Sequence, residues 1–154
     1  MSAADELWNR LEKLGFEKEE KPDGFMPPLP ADVTGLDDRQ LMVLYGEYVS
    51  WTAYAAMRVV EARANERAAR QNLNHSTARA ALAASTEKTV AGRKAAAAAD
   101  DQVQEDERKH ADTLALVEAL EMVHKNAEGR AQFCSRDLSR RQNSAESRYS
   151  KWGV

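Results

Sequence analysis

The distribution of proline limits the fold of this chain more than any other feature of its sequence. All four prolines lie between Pro22 and Pro30, and none follows in the rest of the 154 residues. Proline removes a backbone donor and breaks helices, so nothing after this segment obliges the chain to leave a helical path. The sequence therefore divides into a short N-terminal part and a long part that favours helices.

The N-terminal part, residues 1–36, predicts a short helix followed by a proline-rich arm. The helix is indicated by "ADELWNRLEKLGF", in which apolar residues recur at helical spacing and Gly15 is a plausible stop. The arm, "EKEEKPDGFMPPLPADVTG", is charged and then extended, because each proline pushes the residue before it toward an extended backbone. It is either a flexible tether or a strap over a neighbouring subunit, with contacts through Phe25, Met26 and Leu29.

A first long helix is predicted from Asp37 onward. Asp37 or Thr34 is the expected N-cap, and acids suit this end of a helix. Apolar residues follow in mostly three- and four-residue steps, or multiples of them, typical of a coiled-coil stripe: Leu41, Leu44, Tyr48, Trp51, Ala55, Ala62, Ala69 and Leu73. Bulky residues dominate the first half of this stripe and alanine the second. The alanine half predicts a close approach of another helix.

A turn is predicted near residues 85–92, where Ser85, Thr86 and Gly92 interrupt the pattern. A second long helix should begin in "AGRKAAAAADD", which is strong helix-forming sequence, and end near residue 142, leaving 143–154 as a polar C-terminal tail. Two long helices joined by a short turn prefer to lie antiparallel. We therefore predict an all-α fold in which residues 37–142 form a long antiparallel helical hairpin.

A helical hairpin by itself cannot bury all of the aromatic and apolar side chains that this sequence carries. Much of the apolar content is alanine, which buries little area at about 25 cal/mol per Å², and a hairpin has one buried seam. We therefore expect a homo-oligomer. The residues predicted to pack in the core or between subunits are Leu44, Tyr48, Trp51, Leu116, Leu120 and Val123.

No constellation in the sequence predicts an enzyme, a metal site or a cofactor. Two Glu-x-x-His pairs occur, Glu107–His110 and Glu121–His124, but on one helix they lie about 21 Å apart at 1.5 Å per residue. Cys134, the single cysteine, lacks a nearby histidine base and fits the core stripe. A lone cysteine and the absence of a long apolar run or signal-peptide pattern predict an intracellular protein without a membrane span.

Positive charge collects at the C-terminal end of an otherwise acidic chain. The net charge is −3, yet residues 129–154 carry six bases and two acids, and "CSRDLSRR" places three arginines in eight residues. These arginines either neutralise the negative end of a long helix or bind an anionic polymer. The candidate phosphate ligands here are Arg130, Arg136, Arg140, Arg141 and Arg148, and Tyr149 and Trp152 are aromatics able to stack on unpaired bases.

The order of these segments resembles the UvsY-type recombination mediators of tailed bacteriophages. The resemblance lies in "LYGEYVSWTAYAAMRVVEARANERAAR" on the first long helix, "EKTVAGRKAAAAADDQV" at the turn and "FCSRDLSRR" on the second helix. It implies a ring-forming protein that binds single-stranded DNA and helps to load a recombinase while displacing the single-strand-binding protein. It also implies that the basic residues involved are Arg93 and Lys94, near the turn, and Arg136, Arg140 and Arg141. The acidic balance and the proline-rich arm depart from that pattern.

A structural role is the alternative that the sequence leaves open. A phage virion protein or a packaging component such as a small-terminase-like ring also needs a rigid hairpin and charge-patterned ends. A mediator needs its basic end exposed, whereas a virion protein can bury it against acids such as Glu17, Glu19 and Glu20. The expected location is the cytoplasm of a bacterial host or the virion.

Overall fold

A computed structural model describes residues 1–87 and 89–152, apart from the side chains of Thr86 and residues 146–152. The described residues form helices and no strand, so the predicted all-α fold is confirmed. The helices are α1 (Ala3–Lys13), α2 (Asp38–Ala83), α3 (Val90–Ala98) and α4 (Asp101–Trp152), with a short 3-10 turn at Ala84–Thr86. In the described chain, no helix is long and apolar enough to cross a membrane.

Helix ends are defined by local side-chain caps that the sequence carries. Ser2 and Asp5 form a capping box at the start of α1, and Asp37 with Gln40 does the same for α2, since each side chain accepts from the other's backbone N–H at 2.7 and 2.9 Å. At the end of α1, Gly15 adopts a positive φ of 88°. Phe16 then donates to the Leu11 carbonyl and Gly15 to that of Glu12, a pattern that closes a helix.

The second half of the hairpin is interrupted where a continuous helix is expected. α3 ends at Ala98 and α4 begins at Asp101. Asp100 caps α4, because its carboxylate accepts from the backbone N–H of Gln102 at 3.0 Å and of Val103 at 3.2 Å. This local cap outweighs the helix propensity of the alanine run. At its other end, α4 continues as helix into the segment predicted to be a tail.

The chain separates into two compact units, residues 1–18 with 58–120, and residues 19–57 with the chain from 121 onward. In the first unit, α1 is fastened to α2 by two bonds: Ala4 N–H donates to Asn65 Oδ1 at 3.1 Å, and Trp8 Nε1 donates to Glu61 Oε1 at 2.8 Å. Glu61 is buried and also pairs with Lys18 and Arg58, at 2.6 and 2.5 Å. A second, smaller core in this unit consists of Ala80 of α2, Ala97 of α3 and Val103 of α4.

In the second unit, α2 and α4 run antiparallel around an apolar core. The core consists of Val33, Leu41, Tyr48, Ala131, Cys134 and Leu138. Met26, Leu36, Leu44 and Tyr45 pack against it. The proline-rich arm thus contributes Met26, Val33 and Leu36 to the core of its own chain, while Phe25 remains exposed. This part of the arm fits neither predicted role, a flexible tether or a strap over a neighbouring subunit, because Met26, Val33 and Leu36 pack on their own chain.

Both long helices present one stripe of buried and half-buried residues in alternating three- and four-residue steps, the spacing of a coiled-coil seam. On α4 the stripe runs through Val103, Asp106, His110, Thr113, Val117, Leu120, His124, Ala127, Ala131, Cys134, Leu138 and Arg141. On α2 it runs through Leu41, Tyr45, Tyr48, Thr52, Ala55, Val59, Ala62, Glu66, Ala69, Leu73, Ser76 and Ala80. The seam therefore accepts polar residues, which apolar periodicity alone does not reveal.

Candidate nucleic-acid interface

The arginines of "CSRDLSRR" lie on α4 in the second unit, and the structure gives each a different environment. Arg136 is exposed and makes no hydrogen bond or ion pair to any described residue. Arg140 donates to Asp137 Oδ1 at 2.6 Å, and its side chain is 69% exposed. The side chain of Arg141, by contrast, is only 21% exposed. The predicted cluster is therefore two exposed cations and one that is largely buried.

Arg141 joins the start of α2 and the preceding loop to α4. Its guanidinium donates to the backbone carbonyls of Leu36 at 2.7 Å and Val33 at 3.1 Å. It also donates to the carboxylates of Asp137 at 2.9 Å and Asp38 at 3.0 Å. The Asp38 and Asp137 carboxylates raise the pKa of Arg141. With four acceptors inside the protein, Arg141 serves as a structural clasp rather than as an open phosphate ligand.

Arg130 has a similar structural position nearer the middle of the unit. Its guanidinium donates to the Pro27 carbonyl at 2.8 Å and lies 5.9 Å from the centre of the Tyr48 ring, within the range of a cation–π contact. The proline-rich arm is thus held by two arginines, one at each end of the segment from Pro27 to Leu36. Neither contact involves residues close in sequence.

The other predicted phosphate ligands belong to the first unit or have side chains outside the described part of the chain. Arg93 and Lys94 are exposed on α3 in the first unit, where Arg93 Nε donates to the Glu87 carbonyl at 3.2 Å. Arg148 lies on α4, but its side chain, like those of Tyr149 and Trp152, is outside the described part of the chain. Within the second unit, the described ligands are those predicted between 130 and 141.

The residues predicted to pack in the core or between subunits fall into two groups. Tyr48 is fully buried, Leu44 packs on the same core, and Leu120 is half-buried. Trp51 is half-buried and meets the Tyr54 ring edge-on at 6.0 Å. Leu116 and Val123 are 51% and 44% exposed, so as core residues they were wrongly predicted: Val117 and His124, one position along, occupy the seam. A contact of Leu116 and Val123 with another subunit stays a prediction.

A second basic surface lies in the first unit, where sequence periodicity could not find it. A groove of about 450 Å³ is lined by Arg10 of α1 and by Arg63 and Arg67 of α2, together with Glu6 and small apolar residues. Arg63 and Arg67 are exposed and lie four residues apart on one face of α2. Arg10 joins them only because α1 docks on α2 through Asn65 and Glu61.

The histidines and the cysteine have ordinary structural environments. His110 Nε2 lies 3.0 Å from Glu66 Oε1 in the first unit, and no group of three His, Cys, Asp or Glu side chains able to hold a metal ion occurs among the residues described. Cys134 is fully buried. Burial raises the pKa of the Cys134 thiol, and Asp137 adds to the rise, which is the opposite of what activates a nucleophilic cysteine.

Cys134 is therefore expected to resist alkylation while the chain is folded. At pH 8 a higher pKa leaves less thiolate, and burial denies access to the reagent. Iodoacetamide labelling followed by mass spectrometry should be slow in buffer and fast in denaturing urea. The folded protein favours the protonated thiol of Cys134 over the thiolate. The stability that this preference contributes is complete below the unfolded pKa of about 8.5, and it declines as pH rises from there toward the folded pKa. Equal labelling rates in both conditions would contradict the burial of Cys134.

We compared the chain with known protein families, curated proteins and solved structures. The chain matches no protein-family model, no curated protein and no solved structure.

Proposed function

We propose that this chain is a non-enzymatic helical protein that binds single-stranded DNA as a homo-oligomer and assists recombinase loading, in the manner of a recombination mediator. Phosphate contact is assigned to Arg136 and Arg140 on α4, with Arg93 and Lys94 on α3 as further candidates. Arg130 and Arg141 hold the fold that presents them. The proposed site of action is the cytoplasm of a bacterial host.

The observation that carries this proposal is the exposure of Arg136 and Arg140. They lie four residues apart on α4, hence on one helix face. Arg136 spends none of its five N–H donors on described residues. Within the same part of the chain, Arg140 donates to one carboxylate, that of Asp137. One such pair binds DNA weakly. Repetition in an oligomer raises the effective concentration of contacts and makes weak phosphate binding useful.

The proposal predicts salt-sensitive binding that depends on this arginine pair. Reversal of both charges, Arg136→Glu with Arg140→Glu, should weaken binding of a labelled single-stranded oligonucleotide. The plot of log affinity against log salt concentration should also become less steep, its negative slope shrinking in magnitude by about 1.4, since each of the two single-strand phosphate contacts contributes about 0.7. Fluorescence anisotropy from low to physiological salt measures both quantities.

The matched control reverses two other exposed cations, Arg79→Glu with Arg108→Glu, which changes the net charge equally. If both double variants weaken binding by the same factor, the effect is one of net charge and the assigned site is wrong. Absence of binding by the unaltered protein at low salt would remove the mediator proposal altogether. Circular dichroism at 222 nm checks that each variant remains helical.

A structural role in a phage particle or packaging ring is the second candidate, and one observation favours it. Arg130 and Arg141 hold the arm onto its own hairpin through the carbonyls of Pro27, Val33 and Leu36. A rigid building block benefits from such an ordered arm, and its exposed arginines would contact acidic neighbours instead of phosphate. This role predicts no DNA binding and assembly that persists without nucleic acid.

A further inference from the structure

The first unit carries a groove of about 450 Å³ between α1 and α2, the α1–α2 groove, and its charge is predominantly positive. Arg10 lines it from α1, and Arg63 and Arg67 line it from α2. Glu6 is the one acid among its lining residues. Three guanidiniums against one carboxylate leave an excess of two positive charges, and a cleft lined by one sign of charge attracts ligands of the other sign.

Two of these arginines are available to an external ligand. Arg10 and Arg67 are exposed, and neither makes a hydrogen bond or an ion pair to any described residue. The Glu6 carboxylate makes no ion pair within the same part of the chain, so it does not neutralise either of them. Arg63 has an interaction of its own in the chain. Contact with a ligand is therefore assigned to Arg10 and Arg67.

Two hydrogen bonds set the register of the groove. Ala4 N–H donates to Asn65 Oδ1 at 3.1 Å, and Trp8 Nε1 donates to Glu61 Oε1 at 2.8 Å. Four residues forward on α1 thus correspond to four residues back on α2, so the two helices run antiparallel. Residues at about the same height have numbers that sum to 69, as 4 with 65 and 8 with 61.

This register spreads the arginines along the groove. Arg10 lies at about the height of residue 59 of α2, which is eight residues, or about 12 Å, from Arg67. Arg63 lies between them. A small anion is best held by donors that converge on it. A row of cations instead matches the successive phosphates of a strand, because a nucleic-acid backbone carries one negative charge per nucleotide.

The walls of the groove favour a phosphodiester over an acidic peptide. Both walls are helices, whose interior N–H and C=O groups bond within the helix, so a peptide backbone would find few partners there. Phosphate oxygens accept hydrogen bonds, and a guanidinium donates without accepting, often through two N–H groups at once. Leu7 and Val60 also line the groove. Their apolar surface excludes water, which strengthens the attraction between a phosphate and an arginine.

From these observations we propose that the α1–α2 groove is a second binding site for single-stranded nucleic acid, in which Arg10 and Arg67 contact phosphates of the strand. The identity of the ligand rests on the proposed function, and the groove adds a site in the first unit to the one assigned on α4. Asn65 is a positioning residue. It holds the start of α1, and with it Arg10, against α2.

Charge reversal tests the two arginines. Arg10→Glu with Arg67→Glu should weaken binding of a labelled single-stranded oligonucleotide by about tenfold or more at physiological salt, and the negative slope of log affinity against log salt concentration should shrink in magnitude by about 1.4. Fluorescence anisotropy measures both. Arg79→Glu with Arg108→Glu changes the net charge equally within the same unit and should have a smaller effect. Equal weakening by both double variants would overturn the site.

The same titrations separate this inference from the proposed function. Absence of binding by the unaltered protein at low salt would remove the proposed function, and this site with it. Binding that is weakened by Arg136→Glu with Arg140→Glu, but not by Arg10→Glu with Arg67→Glu, would overturn the groove alone. The reverse result would support the groove and remove the site on α4.

A neutral substitution tests the dependence on helix docking. Asn65→Ala removes the acceptor of Ala4 N–H, so hydrogen exchange in α1 should rise and the salt slope should shrink by about 0.7, the contribution of one phosphate contact. Asn74→Ala, at an exposed position of the same helix, should change neither. Faster exchange with unchanged affinity would overturn the assignment of Arg10. Unchanged exchange would overturn the role of Asn65.

Footprinting tests the site without any substitution. A saturating single-stranded oligonucleotide should slow the modification of Arg10 and Arg67 by phenylglyoxal several-fold, as followed by mass spectrometry, and leave the exposed Arg108 unchanged. Unchanged modification of Arg10 and Arg67 would overturn the proposal, whether or not the charge-reversal variants fold.

Competition distinguishes nucleic acid from an acidic polypeptide. Poly-L-glutamate of matched charge should displace the labelled oligonucleotide several-fold less effectively than the unlabelled oligonucleotide does. Equally effective displacement by poly-L-glutamate would show that the groove takes acidic polypeptides as readily, and the assignment to nucleic acid would be wrong.

Discussion

Replacement of Tyr48 by alanine is expected to lower the free energy of unfolding by about 3–5 kcal/mol, the usual cost of truncating a large buried aromatic residue. Tyr48 is fully buried and lies in a core with Leu41, Cys134 and Leu138. Its ring also receives the Arg130 guanidinium, which holds the arm at Pro27. Loss of the ring would therefore leave a cavity between α2 and α4 and loosen the arm. Urea denaturation followed by circular dichroism measures the change.

Tyr48→Phe is the matched control, because it keeps the ring and removes the hydroxyl. That hydroxyl is buried without a hydrogen-bond partner among the described residues. An unsatisfied buried polar group is costly, so the phenylalanine variant should be as stable as the unaltered protein or up to about 1 kcal/mol more stable. A lost hydrogen-bond partner costs about 1–3 kcal/mol. If Tyr48→Phe lowers the free energy of unfolding by about 2 kcal/mol or more, the hydroxyl has a hydrogen-bond partner and this prediction is wrong.

The unaltered protein and Tyr48→Phe should also differ in how their free energy of unfolding changes at alkaline pH. Burial raises the pKa of Tyr48, against an opposing effect of the Arg130 charge. The protonated hydroxyl therefore contributes stability that is fully present below the unfolded pKa of about 10 and is lost as pH rises toward the folded pKa. Tyr48→Phe lacks this titration and should lose less stability between pH 9 and 11.

Replacement of Arg141 by alanine is the second large effect and should cost about 2–3 kcal/mol. Arg141 donates to two backbone carbonyls and two carboxylates, and hydrogen bonds from a charged donor contribute about 1.5–3 kcal/mol each before losses to solvent exposure. Without it, the Leu36 carbonyl loses its side-chain donor, and the Val33 carbonyl keeps only the backbone N–H of Leu36 at 3.2 Å. Hydrogen exchange should then rise in residues 26–37 more than in α1.

Arg140→Ala is the control for this prediction, since it removes the same charge from the adjacent position. Arg140 is exposed, and Asp137 is its one ion-pair partner among the described residues, so its loss should cost less than about 0.5 kcal/mol, as is usual for exposed pairs. Arg141→Lys should recover less than half of the loss, because an ammonium cannot reproduce the planar fork of a guanidinium. Equal effects of Arg140→Ala and Arg141→Ala would contradict the clasp.

The placement of the helices could be predicted well from local sequence, because the signals that place them are local. Ser2, Gly15 and Asp37 act within three or four residues of themselves, and each lies at the end of a helix. The same is true of the turn, where Thr89 caps α3 by accepting from Gly92 N–H at 3.0 Å. The break at Asp100 was missed because the alanine run before it is strong helix-forming sequence, although the acid that makes the break is plain in the sequence.

The candidate site was much harder to predict, since it depends on partners distant in the chain. The sequence does not distinguish Arg136, Arg140 and Arg141 from one another. In the structure, Arg136 has no partner among the described residues and Arg140 pairs with Asp137. Arg141 donates to the carbonyls of Val33 and Leu36, more than a hundred residues away. The α1–α2 groove exists only because α1 docks on α2.

By itself, the sequence determined the all-α class and the capped start of α2, because proline placement, caps and helical periodicity act through neighbouring residues. Only the tertiary structure decided the register of the seam and the function of each arginine. Adjacent residues on a helix differ by about 100° in direction, so Leu116 and Val117 are equally good guesses until the partner helix selects one. The partner helix selects Val117 on α4, and the docked arm gives Arg141 its carbonyl acceptors.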